Sequence, residues 1–290
     1  MIPQPAQRGG KAKSSTQCAS RLMVDTLCIS PLVGPPRAPH KRRVAQPLFD
    51  MELRALRRDR ASRSGPELFL HDRAFDDCLE RLALVERRFQ AALLIGCPDP
   101  RWRARLGEHV NRVEIIEPGP LFARAAGAQR VNEDQFEPRS DAFDLCVAVG
   151  TLDTVNDLPR ALRSVRASLN QDSLFIGALA GGEGLPQLRR AMHAADQVAG
   201  AASLRVHPRI EAASLAPLLD ACGFIKPVVD VDRVQVSYET LDRLVRDLRG
   251  MAATNILLAR SRTPLTRSAR AAAEEAFRSA GDGSLSISSA

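Results

Sequence analysis

The chain has 290 residues, 44% of them apolar, and a formal charge of +7. This charge lies in residues 1–46, which hold eight Lys and Arg side chains against the single acid Asp25, whereas the other 244 residues carry 33 basic and 33 acidic side chains. A body without net charge lacks the basic surface of a dedicated nucleic-acid-binding protein. No apolar stretch approaches the ~20 residues that a membrane span requires. The composition therefore excludes both classes and predicts a folded domain with a hydrophobic core.

The cysteines and histidines give no indication of a metal site. None of the six cysteines lies close to another in sequence, and no Cys/His spacing would gather four ligands around zinc. We therefore expect reduced thiols and no bound metal. Only four of the 41 basic side chains are Lys, and this preference for Arg, together with abundant Ala, is typical of a GC-rich bacterial genome and hence of a cytoplasmic protein.

Residues 1–46 differ in composition from the rest of the chain. They are rich in basic residues, and Pro31, Pro35, Pro36 and Pro39 exclude a continuous helix there. We expect a disordered leader, followed by one domain over residues 47–290. Two alternatives remain: a mitochondrial targeting segment, since the leader is acid-poor and contains Arg, or residues without a role that an upstream start codon adds.

From Leu48 onward, helical and extended patterns alternate. The apolar spacings predict helices near 48–56, 68–89, 101–108, 157–169, 184–199, 212–222, 239–249 and 265–279. Short apolar runs predict strands at 91–96, 113–117, about 132, 143–150, 174–180 and 228–236, and the last residues, 284–290, resemble the start of one more edge strand. Strands that alternate with helices in this way predict an α/β fold with a mostly parallel sheet.

Ligands of open α/β sheets bind beyond the carboxyl ends of the strands, near residues 96, 117, 132 and 150 in this chain. The loop Gly96-Cys97-Pro98-Asp99-Pro100 stands where a glycine-rich nucleotide loop would lie. Glu117 ends the next strand 21 residues after Gly96, close to the separation at which an acid binds the ribose of a nucleoside. Acids also end strands by chance. Asn132, Glu133 and Asp134 are candidates to bind an adenine amino group, or else form a solvated turn.

Other polar positions have structural interpretations. In the segment Val155–Leu162, we expect Asn156 or Asp157 to cap a helix and Pro159 to lie in its first turn. His193 and His207 are isolated in sequence, and Trp102 and Tyr238 are expected to pack in the core. The sequence contains no nucleophile elbow, phosphate loop or paired-histidine zinc motif, so no catalytic residue is predicted.

Several segments, in order, resemble a known family. They include Leu48-Phe49-Asp50, Phe143-Asp144-Leu145, Val155-Asn156-Asp157-Leu158-Pro159-Arg160-Ala161-Leu162 and Phe175-Ile176-Gly177-Ala178, and the likeness extends to Asp282-Gly283-Ser284. The family is that of the class I S-adenosylmethionine-dependent methyltransferase-like proteins that act in the assembly of respiratory complex I. Its mitochondrial members are associated with hydroxylation of an arginine in a complex I subunit rather than with methyl transfer.

The resemblance implies a seven-stranded Rossmann-like sheet with helices on both faces and a helical extension at its N-terminus. It also implies S-adenosylmethionine bound at the ends of the first three strands, a protein partner such as a complex I subunit, and a mitochondrial location as the alternative to the cytoplasm. By position, Gly96 matches the first motif glycine, Glu117 the ribose-binding acid, and Asn132 with Glu133 the adenine-side pair. Asp99 is the nearest substitute for an acid that the motif has lost.

The chain departs from the family at this first motif. Leu94 stands where the family has an acid, and Pro98 and Pro100 stand where it has glycines. Proline fixes φ and removes an N–H group, whereas glycine lets the backbone approach a ligand closely. Asp153-Thr154 also replaces a usual histidine-tryptophan pair, and the chain ends before the family's final strand is complete.

Three functions remain open on this basis. The first is a methyltransferase-family enzyme that binds S-adenosylmethionine and modifies a protein partner in complex I assembly. The second is a non-catalytic assembly factor that has kept the fold and lost the cofactor. A binding module for another nucleotide has less support, because no phosphate-cradling loop is present.

Overall fold

The structure is a computed structural model that describes residues 46–279, except 183 and 235, together with Ser288 and Ser289. Residues 1–45 of the predicted disordered leader, including Cys18 and Cys28, lie outside the described residues.

Two helices precede the first strand, and strands then alternate with helices. The helices are α1 (Met51–Ser64), α2 (Phe69–Ala83), α3 (Arg101–Gly107), α4 (Pro120–Ala126), α5 (Leu158–Ser168), α6 (Pro186–Ala199), α7 (Ala212–Ala221), α8 (Leu241–Gly250) and α9 (Arg267–Ser279). The strands are β1 (Phe89–Ile95), β2 (Val110–Glu117), β3 (Gln129–Arg130), β4 (Phe143–Val149), β5 (Leu169–Leu179) and β6 (Ser288–Ser289). Short 3-10 turns lie at Glu133–Gln135 and Leu152–Thr154. The predicted helices all exist, with shifts at their ends.

The strands form one sheet in the order β3-β2-β1-β4-β5-β6, in which β1 to β5 are parallel and β6 is antiparallel. Leu94 of β1 lies between Ile115 of β2 and Val147 of β4. Every residue of β4 is buried, as expected for a strand covered on both faces. The predicted Rossmann-like α/β fold is confirmed, although the described residues form six strands rather than seven.

The strand predicted at 228–236 is wrong. The described residues of this segment form no strand, and the side chain of Val228 is 74% exposed. Its acids instead contact α2, where Asp230 accepts a hydrogen bond from Arg81 and Asp232 accepts one from Arg73. The alternating valines and aspartates mimic a strand pattern, but the segment runs along a helix surface.

The core has two layers, one on each face of the sheet. On one face Phe75 of α2 stacks on Trp102 of α3, with ring centroids 4.3 Å apart, which confirms the packing role expected for Trp102. On the other face Leu162 of α5 and Leu219 of α7 pack against the sheet. Helices α6, α8 and α9 share a third apolar cluster. None of the helices in the described part of the chain is both long and apolar enough to cross a membrane.

The residues before α1 form hydrogen bonds with two segments that are distant in sequence. Asn156 Oδ1 accepts hydrogen bonds from the backbone N–H groups of Leu48 and Phe49, both at 2.7 Å. Phe49 also pairs with Leu257 in an antiparallel bridge. Asp50 then caps α1 by accepting from Leu53 N. Helix α1 is thereby held against α4 and α8, and its Asp59 accepts a hydrogen bond from Leu121 N of α4.

Candidate functional site

The loop after β1 begins with a glycine that the geometry requires. Gly96 has φ of +81°, and a Cβ atom there would lie 2.5 Å from Thr151 Cγ2 and 2.7 Å from the Val149 carbonyl oxygen. No other residue fits this turn without displacing the loop after β4. The predicted position of Gly96 at the carboxyl end of β1 is therefore confirmed, while its role in binding a cofactor stays a prediction.

Glu117 ends β2, and its side chain is fully buried. Its carboxylate accepts hydrogen bonds from Cys97 N at 2.8 Å and from Gly119 N at 2.7 Å. Arg58 of α1 donates two further bonds to the same carboxylate, at 2.5 and 2.8 Å. The acid predicted to bind ribose thus lies beside the first loop, but both of its oxygens are engaged by an arginine.

Glu133 lies in the 3-10 turn after β3 and is paired in the same manner. Arg54 of α1 donates to both Glu133 oxygens, at 2.6 and 3.1 Å, and to the Thr151 carbonyl oxygen at 2.7 Å. Both side chains are nearly fully buried. Burial is the largest single influence and would lower the pKa of Arg54, but the charge and hydrogen bond of Glu133, together with the charges of Asp153 and Glu117, outweigh it and the pKa is raised. This guanidinium therefore stays charged and connects the segment after β3 to the loop after β4.

Arg54 and Arg58 are four residues apart, so they project from the same face of α1. Neither arginine is predicted from sequence, because its partner lies 79 or 59 residues further along the chain. In the structure both positions fall on the buried face of α1, near Asp59 and Ala61.

The other predicted site residues serve local structure. Asp99 accepts hydrogen bonds from the backbone and side chain of Arg101. Burial favours a higher pKa for Asp99, yet these bonds prevail and the pKa is lowered. Asn132 caps its 3-10 turn by accepting from Asp134 N, and Asp134 accepts from Asn156 N and Asp157 N. Asp157 caps α5, as expected for this segment.

A cavity of about 130 Å³ adjoins these ion pairs beyond the carboxyl ends of β4 and β5. Arg54 and Arg58 line it on one side. Its apolar walls come from α2, β5, α8 and the loop beyond α8, and include Leu70, Ala74, Ala178, Leu179, Leu248, Met251 and Ile256. Its remaining polar lining includes His71, Asp153, His207 and Arg209.

Two histidines of this lining are neutral at physiological pH. Burial, with a smaller contribution from the charge of Arg58, lowers the pKa of His71 to about 4. Burial and the charge of Arg209 lower the pKa of His207 to about 4. The His207 Nε2 atom accepts a hydrogen bond from Ile256 N at 3.0 Å, which requires an unprotonated nitrogen. Neither histidine was singled out by the sequence as part of a shared site.

The cysteine of the first loop is not a nucleophile in this setting. Burial, followed by the charge of Glu117, raises the pKa of Cys97 to about 12, so its thiol remains protonated at neutral pH. Among the described residues, no group of three or more His, Cys, Asp and Glu side chains is arranged to hold a metal ion.

Sequence comparison identifies relatives that cover most of this chain. No protein-family model matches it. It is 30% identical over 225 residues to a protein of Danio rerio named arginine-hydroxylase NDUFAF5, mitochondrial, in a match that covers 72% of this chain and 68% of that protein. The human protein of the same name is 29% identical over 227 residues, which are 72% of this chain and 64% of the relative. The chain thus spans about two thirds of the length of these relatives.

Among solved structures, the Burkholderia thailandensis 1,6-didemethyltoxoflavin-N1-methyltransferase is 17% identical with a TM-score of 0.47, covering 90% of this chain and 93% of that one. The match to the Danio rerio protein extends over more than two thirds of both chains, and it agrees with the family resemblance seen in the sequence motifs. The chain belongs to the family of the NDUFAF5 arginine-hydroxylases.

Proposed function

We propose that this protein binds S-adenosylmethionine at the carboxyl ends of β1, β2 and β3 and modifies a protein partner during assembly of respiratory complex I. The observation that supports this proposal is the placement of Glu117. This carboxylate lies at the end of β2, bonded to the backbone of the loop that follows β1, which is where an acid can bind the two hydroxyls of a ribose.

In the proposed complex, three residues of this chain have distinct tasks. Glu117 accepts from the ribose hydroxyls, Glu133 faces the adenine side, and Gly96 lets the first loop approach the ligand. Asn132 and Asp99 are secondary candidates, because both already serve local turns. The bound cofactor would supply an activated one-carbon group, and the chain's own contribution is to position the partner's side chain and to exclude water.

Glu117 and Glu133 are acids at strand ends, as a nucleoside site requires, but in this structure both are bonded to arginines of α1. Arg58 and Arg54 take both oxygens of Glu117 and Glu133. The Glu117 carboxylate also accepts from Cys97 N and Gly119 N, so its acceptor sites are filled and a nucleoside that uses it must displace Arg58. Binding of the cofactor at Glu117 then requires that α1 move or that Arg58 swing away from the sheet.

The same ion pairs favour a second function, a non-catalytic assembly factor. Two buried arginines balance the charges of Glu117 and Glu133 in the crevice at the carboxyl ends of β1, β2 and β3, so these acids have partners without a cofactor. Leu94 at the end of β1 and the prolines Pro98 and Pro100 of the first loop support this alternative. Leu94 stands where the motif has an acid, and each proline removes a backbone N–H group and the flexibility of a glycine.

The proposed partner and location follow from the relatives. Proteins named arginine-hydroxylase NDUFAF5, mitochondrial, support a complex I subunit as the partner and support the mitochondrial location. The Arg-rich and Ala-rich composition supports a bacterial cytoplasm instead. Methyl transfer and hydroxylation of the partner's side chain are both compatible with a cofactor bound at Glu117.

Titration calorimetry with S-adenosylmethionine tests the cofactor site directly. We expect a Kd in the micromolar range for the wild-type protein and at least a tenfold loss in Glu117→Gln, because the neutral amide removes a charge-assisted acceptor. Glu108→Gln, which changes an exposed glutamate between α3 and β2, at the amino end of β2, is the control and should bind as the wild type does.

Thermal unfolding of both variants accompanies the titration, since Glu117→Gln also leaves Arg58 without its charged partner. Absence of binding at about 10 mM ligand by the wild type, which corresponds to less than about 3 kcal/mol of binding free energy, would exclude the enzyme and favour the assembly factor.

A further inference from the structure

The outer face of α1, which points away from the sheet, carries arginines that few acids balance. A groove of about 340 Å³ lies on this face, and its lining includes Leu53, Leu56, Arg57, Arg60 and Arg63. Within the described residues, Arg57 and Arg60 form no ion pair, whereas Arg63 lies 3.8 Å from a carboxylate oxygen of Asp59. The groove therefore has an excess of positive charge.

Arg57 is the half-buried member of these three arginines. Its Nε atom is inaccessible to solvent and has no hydrogen-bond partner, and its other guanidinium nitrogens make no hydrogen bond within the described part of the chain. Burial, followed by the charges of Arg60, Arg260 and Arg249, lowers the pKa of Arg57. A partly buried cation beside other cations is costly unless an anion accompanies it. The surroundings of Arg57 are those of a group that lacks its acceptor.

Two further arginines reach this face from other parts of the chain. Arg249 lies in the last turn of α8, a helix that contacts α1. Arg260 bonds to Asp50, the N-cap residue of α1, at 3.3 Å. Among the described residues, Arg57, Arg60 and Arg249 bond to no carboxylate. Four guanidinium groups from three parts of the chain therefore share one bonded carboxylate, that of Asp50.

The remainder of the chain has no surplus of acid that could supply the missing negative charge. The residues outside the described part contain three acids, Asp25, Glu183 and Asp282, against eight Lys and Arg side chains. The anion that balances the arginines is therefore expected to belong to another molecule. Carboxylates and phosphates both fit by charge, since a guanidinium can bind either through two parallel N–H bonds.

The shape and the apolar part of the lining favour a protein segment over a small anion or a membrane. The side chain of Leu56 is 62% exposed, and Leu53 lines the same groove. A free phosphate ion leaves both leucines uncovered, and a planar lipid surface does not fill a concave groove. A protein segment with carboxylates beside an apolar side chain can bond to the arginines and cover Leu56 at once.

We propose that this face of α1 docks an acidic segment of another protein, whose carboxylates bond to Arg57 and Arg60 while an apolar side chain covers Leu56. The face is separate from the proposed cofactor site, because Arg54 and Arg58 lie on the buried side of the helix. The docking therefore goes beyond the proposed function and needs no bound cofactor.

Fluorescence anisotropy with a labelled peptide of repeated Leu-Glu-Glu units tests the docking on the full-length protein. Peptides of Leu-Lys-Lys units reverse the charge, and peptides of Ser-Glu-Glu units remove the apolar side chain. We expect a Kd of about 100 μM or less at about 50 mM salt, and at least about fivefold weaker binding of both control peptides. Binding should weaken at about 500 mM salt, because salt screens surface charges.

A double variant separates this groove from the other basic parts of the chain. Arg57→Gln combined with Arg60→Gln removes two charges and should lower the peptide affinity at least about tenfold. Arg160→Gln combined with Arg190→Gln removes two exposed arginines of α5 and α6 and should bind as the wild type does. The first variant should unfold at the same temperature as the wild type or a higher one, since no ion pair is lost.

Four results would overturn the proposal. The first is no peptide binding by the wild type at about 1 mM peptide. The second is equal affinity in the wild type and the Arg57→Gln/Arg60→Gln variant, which would assign the binding to the basic residues 1–46. The third is binding to phosphatidylglycerol vesicles, but not to the peptide, that this variant loses. The fourth is self-association without peptide binding, again lost in this variant, which would assign the face to a second copy.

S-adenosylmethionine binding is measured on the same samples and should not differ between the Arg57→Gln/Arg60→Gln variant and the wild type. Peptide binding without cofactor binding by the wild type rejects the proposed enzyme and leaves the docking face intact. Cofactor binding without peptide binding rejects the docking face alone.

Discussion

His71 and His207 are polar residues that the fold holds in their neutral form. Both line the same cavity, and burial is the main reason that the pKa of each lies near 4. An unfolded chain restores the ordinary pKa of about 6.5. Between these values the unfolded state binds more protons than the native state, so the free energy of unfolding falls as the pH drops from 6.5 toward 4.

We predict that His71→Phe weakens this acid sensitivity. Between pH 7.5 and pH 5, a histidine with the pKa of His71 costs the native state at most about 2 kcal/mol. Urea unfolding at the two pH values should show a difference that is smaller in His71→Phe than in the wild type. His193→Phe is the matched control on an exposed helix position. An unchanged pH dependence in His71→Phe would show that His71 titrates normally.

At the residue level, the sequence predicts some of the site and misses the rest for a physical reason. Gly96 and Glu117 are found because strand ends follow from local apolar runs, and strand ends of a parallel sheet meet at one edge. Arg54, Arg58 and Asp153 are not found, because their roles depend on partners that only the tertiary fold brings near. Whether Glu117 and Glu133 bind a cofactor stays a prediction.

Helix α1 closes the crevice through its two arginines. It carries Arg54 and Arg58 on its buried face and Arg60 on its exposed face. Since Arg58 takes the acceptor sites of Glu117, α1 and S-adenosylmethionine would compete for this carboxylate in the proposed complex. The helix would then act as a lid whose affinity for the sheet lowers the affinity for the cofactor.

We predict that weakening this lid tightens cofactor binding. Arg58→Met removes the charged competitor, and Arg58→Lys keeps the charge without the paired geometry of a guanidinium. Both should bind S-adenosylmethionine at least about tenfold more tightly than the wild type by calorimetry. Arg60→Met should have no effect.

The stability cost of Arg58→Met is about 3–5 kcal/mol, because Glu117 loses its buried partner. Arg58→Lys is expected to lower the free energy of unfolding by less, so it provides a folded variant if Arg58→Met does not fold. Equal or weaker binding in a folded Arg58→Lys protein would contradict the competition between α1 and the nucleoside.

Elements are easier to predict than their ends. The parallel strands are recognised because residues 91–95 and 143–149 are apolar runs covered on both faces. The segment 228–236 has valines that alternate as in a strand, so its sequence alone predicts one. The structure differs because its aspartates bond to α2 instead. Ion pairs across 149 or more residues leave no local signal in the sequence.

On the scale of the whole molecule, one side chain joins the N-terminal segment to the middle of the chain. Asn156 accepts from Leu48 N and Phe49 N and donates to the Phe49 carbonyl oxygen. The same residues of the N-terminal segment pair with 256–258, where Asp50 N bonds to Ile256 O and Leu258 N bonds to Leu48 O. Three regions of the chain therefore meet beside the first turn of α1.

We predict that Asn156→Ala loosens this junction. Three hydrogen bonds are lost, and about 1–3 kcal/mol of stability with them. Hydrogen exchange should accelerate at Leu48, Phe49 and the start of α1 more than in the β-sheet. Asn111→Ala, which removes an exposed asparagine on β2, is the control. Uniform acceleration over the whole chain would indicate global unfolding and contradict a local role.

The pairing of Phe49 with Leu257 also determines when the crevice can be completed during synthesis. Residues 48–50 leave the ribosome more than two hundred positions before residues 256–258. At about 5–20 residues per second, α1 then waits roughly 10–40 seconds for the segment that fixes its first turn. Glu117 and Glu133 are made within that interval, well before residues 256–258, so the nascent chain passes through a period in which both acids are present but the first turn of α1 lacks its pairing with 256–258.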